Sequence, residues 1–141
     1  MKKTQKRLGN KGFSLVELIV VIAIMAVLVG VLAPTLISNV EKSRESKDAQ
    51  NIDSIKNAIE VTLQNEGAYS EAIAKGDVIT FNDNNKAVIA DTGLTSFTSE
   101  FNSTLDLSKS ELTSKEYKNK RTNIKFNVSS TGTVTVSGLN K

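Results

Sequence analysis

Apolar residues are concentrated near the N-terminus of the chain. Of the 25 residues from Phe13 to Ile37, 20 are hydrophobic, and the 16 residues from Leu18 to Ala33 include no polar side chain. A helix of about 20 residues is long enough to cross the hydrocarbon core of a bilayer. The pattern therefore predicts a membrane-spanning helix over residues 13–37.

A different helical pattern follows the apolar stretch. Within residues 41–51 only Ala49 is apolar, which predicts a segment that is solvated or packed among subunits. Apolar residues then recur three, four and four positions apart, on one helical stripe: Ile52, Ile55, Ile59 and Leu63. Because the glycine of Glu66-Gly67 is a suitable helix cap, we expect one long helix to run from Phe13 to that point.

Alternating apolar and polar positions predict two β-hairpins in the rest of the chain. Residues 78–81 pair with residues 87–90 in the first hairpin, and residues 124–128 pair with residues 134–136 in the second. Their apolar faces have the isoleucine stripe as a partner. The predicted fold class is α+β, in which a long N-terminal helix packs on a small antiparallel sheet.

The predicted domain organisation has three parts. Residues 1–12 form a basic segment, residues 13–37 form the transmembrane helix, and residues 38–141 form the amphipathic half of the helix and a globular head. Within the head, Ser108 and Glu111 fit a capping box for a short helix that reaches Lys118.

The composition argues against most enzymatic chemistry. The chain contains no cysteine and no histidine, which excludes thiolate sites and removes the commonest metal ligand and general base. We therefore expect no catalytic residues, no cofactor and no metal ion. The oxygen-rich turn at Asn82-Asp83-Asn84-Asn85 lacks the spacing of an EF-hand, and turn formation explains its residues.

The positive charge of the chain lies in its first residues. Five bases and no acid fall within residues 1–12, so the rest of the chain carries a formal charge of −2. Bases on one flank of an apolar helix predict a cytoplasmic N-terminus and an exported C-terminus. We do not expect a nucleic-acid partner; one would bind at the basic cluster within residues 115–121, although such clusters are usually solvated.

One acid, Glu17, lies inside the apolar stretch. A charged side chain at the centre of a bilayer costs roughly 2.5–3.5 kcal/mol, so such residues are usually functional. A secretory signal peptide would share the basic flank, but its apolar region is usually only about 7–15 residues long. An ordinary signal anchor fits the length of the stretch and leaves Glu17 unexplained.

The segment Lys11-Gly12-Phe13-Ser14-Leu15-Val16-Glu17-Leu18 resembles the processing site of type IV pilins and the related pseudopilins. The resemblance implies that a prepilin peptidase cleaves between Gly12 and Phe13 and methylates the new amine of Phe13. Residues 1–12 would then be a leader that is removed, and residues 13–37 would form the filament core after assembly. The resemblance also implies that Glu17 pairs with the Phe13 amine of a neighbouring subunit and sets the axial register of assembly. The alternative is that Glu17 compensates the N-terminus or dipole of its own helix.

Gly30 and Pro34 are four residues apart, and Pro34 falls where the helix of this family commonly has a proline. Proline lacks the N–H that would bond the Gly30 carbonyl. Two interpretations remain open at this point. The pair forms a functional kink or a segment that unwinds in the filament, or it is a kink that a transmembrane helix tolerates.

The functional prediction is a structural subunit of a type IV pilus that is not an enzyme. Its partners are other pilin subunits in a homopolymer, the prepilin peptidase, the cytoplasmic membrane and the pilus assembly machinery. The chain is a single-pass membrane protein before assembly and part of a surface filament afterwards. The alternatives are a pseudopilin of a type II secretion or competence system and a monomeric membrane-anchored binding protein.

Overall fold

The computed structural model describes residues 12–139, so nearly all of the expected leader lies outside the described residues. The chain divides into two compact units after Ser38. The elements follow in this order: α1 (Leu15–Thr62), α2 (Glu66–Lys75), β1 (Asp77–Phe81), β2 (Ala87–Ile89), α3 (Thr95–Thr104), a 3₁₀ turn (Leu107–Lys109), α4 (Lys115–Lys120), β3 (Lys125–Val128) and β4 (Val134–Ser137).

A four-stranded antiparallel sheet forms the centre of the second unit. Its strand order is β2-β1-β3-β4. Both predicted hairpins are confirmed, because β1 pairs with β2 and β3 pairs with β4, each in antiparallel register. The hairpins join through β1 and β3, where Ile79 lies opposite Phe126.

The predicted isoleucine stripe of α1 lies in the core of the second unit. Ile52, Ile55 and Ile59 are at most 2% exposed, and Leu63 packs against the core while partly buried. The apolar face of the sheet and the aromatic residues of α3 complete this core, which includes Val78, Ile79, Phe81, Phe97, Phe101, Phe126 and Val128. The α+β prediction, with a long helix packed on a small sheet, is therefore confirmed.

The predicted end of the long helix is wrong. α1 ends at Thr62, and Glu66 begins α2. The side-chain oxygen of Asn65 accepts hydrogen bonds from the backbone N–H groups of Gly67 and Ala68, at 3.0 and 3.2 Å. Asparagine is a strong N-cap, so Gly67 lies in the first turn of a new helix and does not cap the old one.

The short helix predicted from Ser108 to Lys118 is also wrong. The 3₁₀ turn comes first, and the carboxylate of Asp106 accepts from the N–H of Ser108 at 2.9 Å. The separate helix α4 has Ser114 as its N-cap, which accepts from the N–H of Tyr117 at 3.3 Å. Glu111 lies between these elements, where its backbone forms an isolated antiparallel β-bridge with Lys86.

The polar segment 41–51 is not simply solvated. Asp48 has no exposed surface. Its carboxylate accepts from the backbone N–H and the hydroxyl of Thr113, at 2.9–3.0 Å, and from the N–H of Ser114 at 2.8 Å. Because a buried charge needs hydrogen-bond partners, this acid fixes the loop before α4 onto α1.

A side chain of α2 caps the N-terminus of α3. The Glu71 carboxylate accepts from the backbone N–H groups of Phe97 and Ser96, at 2.9 and 3.1 Å, and from the Thr95 hydroxyl at 3.1 Å. The bonds from Phe97 and Ser96 lower the pKa of Glu71 from 4.5 to about 2. Charged hydrogen bonds of this kind satisfy donors that a helix leaves unpaired.

Glu71→Gln keeps one acceptor oxygen and removes the charge. A lowered folded-state pKa contributes stability above the unfolded pKa, and that contribution is lost as the pH falls through the folded pKa. We therefore expect the variant to unfold at a lower temperature than wild type at pH 7. The difference in unfolding temperature between wild type and the variant should shrink as the pH falls from 4.5 to about 2. The unfolding temperatures are measured by circular dichroism of the full chain in detergent.

Glu100→Gln is the matched control, since no hydrogen bond reaches that carboxylate within residues 12–139. If the difference in unfolding temperature between wild type and Glu71→Gln stays constant over this pH range, the capping role of Glu71 is contradicted.

Gly138 follows β4 in a conformation that needs glycine. Its φ is +80°, and a Cβ there would lie 2.2 Å from the backbone oxygen of Asn123. Gly138→Ala should lower the free energy of unfolding by at least about 2 kcal/mol, measured by denaturant titration of the full chain. Gly30→Ala is the control, because a Cβ at Gly30 meets nothing within 4 Å. Equal stability of the two variants would contradict this account of the β4 end.

Candidate processing and assembly site

The junction between Gly12 and Phe13 lies just before α1 in a segment without regular structure. Phe13 is 92% exposed. A Cβ at Gly12 would meet nothing within 4 Å. The bond that the sequence predicts as the cleavage site is therefore accessible, two residues before the helix begins at Leu15.

Glu17 forms a reciprocal capping box with Ser14. The backbone N–H of Ser14 donates to Oε2 of Glu17 at 3.0 Å, and the backbone N–H of Glu17 donates to Oγ of Ser14 at 3.2 Å. This geometry satisfies two donors at the start of α1. Ser14 was not predicted as part of this site, although the Ser-x-x-Glu spacing is the usual signal of such a cap.

The capping box gives Glu17 a function within its own chain, which is the alternative that the sequence analysis left open. It does not exhaust the carboxylate, since an ionised carboxylate offers about four acceptor sites. The same box holds the carboxylate one residue from Phe13, where peptidase cleavage would create an amine. Capping and pairing with a second chain are therefore chemically compatible.

The apolar stretch of α1 is a fully exposed surface. Between residues 12 and 38 only Ala33 is less than exposed. Within the described part of the chain, α1 alone is long and apolar enough to span a membrane. Exposed apolar area of this extent marks a surface that contacts lipid or protein.

Gly30 and Pro34 both lie inside α1. The helix continues through them, so neither residue ends it, and an added Cβ at Gly30 would meet open space. A kink at this pair remains a prediction.

Two of the four bases in the cluster at residues 115–121 are paired with acids. Lys120 pairs with Glu116 at 2.9 Å, and Arg121 pairs with Asp83 at 3.2 Å. This pairing reduces the uniform positive surface that nucleic-acid binding requires. The geometry therefore gives no support to a nucleic-acid site at this place.

The Asn82–Asn85 turn is explained by its own hydrogen bonds. Oδ1 of Asn82 accepts from the backbone N–H groups of Asn84 and Lys86, both at 3.0 Å. Among the described residues no group of three or more acidic side chains is placed to hold a metal ion.

Comparison with known proteins points to the same N-terminal segment. Residues 7–33 match the family described as "Prokaryotic N-terminal methylation motif". The "Prepilin peptidase-dependent protein A" of Clostridium perfringens (strain 13 / Type A) is 39% identical over 80 residues, which are 56% of this chain and 56% of that protein. The chain thus spans about half the length of the curated relative that it matches. No solved structure matches the chain.

The family match includes both sides of the Gly12–Phe13 junction, Glu17 and the apolar core of α1. The methylation motif, the relative and the apolar helix together support a type IV pilin-like protein.

Proposed function

We propose that this chain is a structural subunit of a type IV pilus, cleaved between Gly12 and Phe13 and assembled through α1. The observation that carries the proposal is the exposed junction followed directly by the exposed apolar part of α1, residues 15–37, which contains a single acid. In this proposal residues 1–12 are the removed leader and residues 13–37 are first a membrane span and then filament core. Residues 38–141 are the exported part.

The exposed apolar surface of α1 needs a partner in both states. Burying apolar area is worth about 25 cal/mol per Å², so a helix with this surface does not stay in water. Lipid covers it before assembly, and the corresponding helices of other subunits cover it in the filament. The same surface therefore serves as anchor and as polymer interface.

Processing changes the charge at the start of this surface. The bases of the leader retain the N-terminus on the cytoplasmic side, and cleavage removes all five of them. The new α-amino group of Phe13 has a reference pKa of about 7.7–8.0 and is mainly cationic. N-methylation preserves that charge, so the processed chain can offer one cation to a carboxylate.

Glu17 supplies that carboxylate in the assembled filament. An amine and a carboxylate attract each other strongly at low dielectric, and an unpaired charge there is costly. Pairing the Phe13 amine of one subunit with Glu17 of its neighbour avoids the cost of an unpaired amine and the cost of an unpaired carboxylate. The four-residue spacing shifts the two subunits by about 6 Å, or roughly one helical turn.

Gly12→Val and Glu17→Ala separate processing from assembly. Gly12→Val should block cleavage, so that the precursor accumulates in the membrane. Glu17→Ala should leave membrane insertion and cleavage intact, because the substitution removes an acid from an apolar segment. It should abolish filaments, because the Phe13 amine of the next subunit has no carboxylate to pair with. The measurements are membrane fraction, ratio of precursor to mature chain, and yield of filaments sheared from cells.

Normal filament yield from Glu17→Ala would show that the pairing is dispensable. Electron microscopy of the same cells distinguishes long surface fibres, which the proposal expects, from short stubs within the envelope, which would indicate a pseudopilus. An uncleaved monomer in detergent extracts of wild-type cells would instead indicate a membrane-anchored binding protein.

Ser14→Ala tests which role of Glu17 matters. The variant loses the Oγ that accepts from the Glu17 N–H, which should weaken the start of the helix by about 1 kcal/mol. It retains the Glu17 carboxylate, so we expect filaments at close to the wild-type yield. If Ser14→Ala loses filaments as completely as Glu17→Ala, capping of the helix and not pairing between subunits is the essential function.

A further inference from the structure

The part of α1 that belongs to the second unit carries charges that form no ion pair with other residues between 12 and 139. Arg44 pairs with Glu41 at 3.6 Å, and Lys56 pairs with Glu60 at 4.0 Å. Asp48 is buried and hydrogen-bonded, as described above. Among residues 39–62, three exposed charges then remain without an ion pair: Lys42, Lys47 and Asp53.

Lys47 and Asp53 do not meet within one helix. They are six residues apart, which separates them by about 9 Å along the axis and about 120° around it. Only residues three or four apart face each other on a helix. No acid lies three or four residues from Lys47 in either direction. Lys56 lies three residues from Asp53, but its ammonium pairs with Glu60 at 4.0 Å. Lys47 and Asp53 are thus each available to a second molecule.

We propose that Lys47 of one subunit pairs with Asp53 of its neighbour, as a second point of register in the exported half of α1. The proposal rests on the filament function given above. The partner is a second copy of this chain, because the complementary charges lie on the same helix and on different flanks of its exposed face. A contact between two different patches is heterologous, the type that repeats along an open filament.

The offset of this pair agrees with that of the proposed N-terminal pair. In both pairs the carboxylate lies C-terminal to the cation, by four residues for Phe13 and Glu17 and by six for Lys47 and Asp53. The difference of two residues is about 3 Å, which the flexible four-carbon stem of a lysine can cover. Lys42 is eleven residues from Asp53, about 16 Å, and does not fit the same shift.

Charge reversal and its compensation test the pair in cells that produce the full chain. Lys47→Glu and Asp53→Lys should each lower the yield of sheared filaments by about fivefold or more, because an attractive contact becomes repulsive. The double variant should restore most of the yield, since it rebuilds the pair with the charges exchanged. Lys109→Glu, the same change at an exposed lysine outside α1, is the control and should assemble normally.

The ratio of precursor to mature chain and the amount in the membrane should remain at wild-type levels in all four variants, because neither depends on this contact. Normal filament yield from both single variants overturns the proposed pair, and so does a double variant that assembles no better than the single ones. In either case cleavage and assembly of the wild-type chain would leave the proposed pilus function intact. Absence of filaments from the wild-type chain would overturn that function as well.

Discussion

Burial of three isoleucines of α1 is the interaction on which the second unit depends. Ile52, Ile55 and Ile59 lie in the same core as the inner face of the sheet and the phenylalanines of α3. Burying one such side chain stabilises a fold by about 1.5–3 kcal/mol. The helix thereby becomes part of the core of the second unit, while its opposite face remains exposed and, in the proposed filament, is available to other subunits.

The same helix has to satisfy two different surroundings. Its first part exposes an apolar surface that, in the proposed function, lipid or other subunits cover, and its later part buries a stripe only about 100° wide. Polar residues between these parts also have specific functions. Asp48 accepts hydrogen bonds from the loop before α4, whereas Lys47, its neighbour in sequence, forms no ion pair with another residue between 12 and 139. In the proposed filament, adjacent residues of one helix would therefore serve folding and assembly separately.

Secondary structure could be predicted from the sequence where a short-range periodicity of apolar residues reflects burial. The isoleucine stripe and the alternating strands were predictable because each pattern reflects one apolar face. The end of α1, the helices α2 and α3, and the start of α4 were not. Their positions depend on caps, and the Glu71 cap of α3 joins residues 26 positions apart, a distance that no local pattern reveals.

Prediction from sequence was also incomplete in the processing segment. The Gly12–Phe13 junction and Glu17 could be predicted as the processing and assembly site from sequence, because the motif itself is local. The Ser14–Glu17 capping box was equally local. It was not predicted, because Glu17 was interpreted from the cost of a charge in lipid and not from its hydrogen bonds to the backbone. Glu17 has a structural role in its own chain and, in the proposed filament, an additional one between chains.

The central claim is that cleavage at one bond converts a membrane protein into a filament subunit. Intact-mass spectrometry of filaments sheared from the cell surface tests it most directly. The account predicts a chain that begins at a methylated Phe13 and lacks residues 1–12. Filaments built from chains that still begin at Met1 would contradict it.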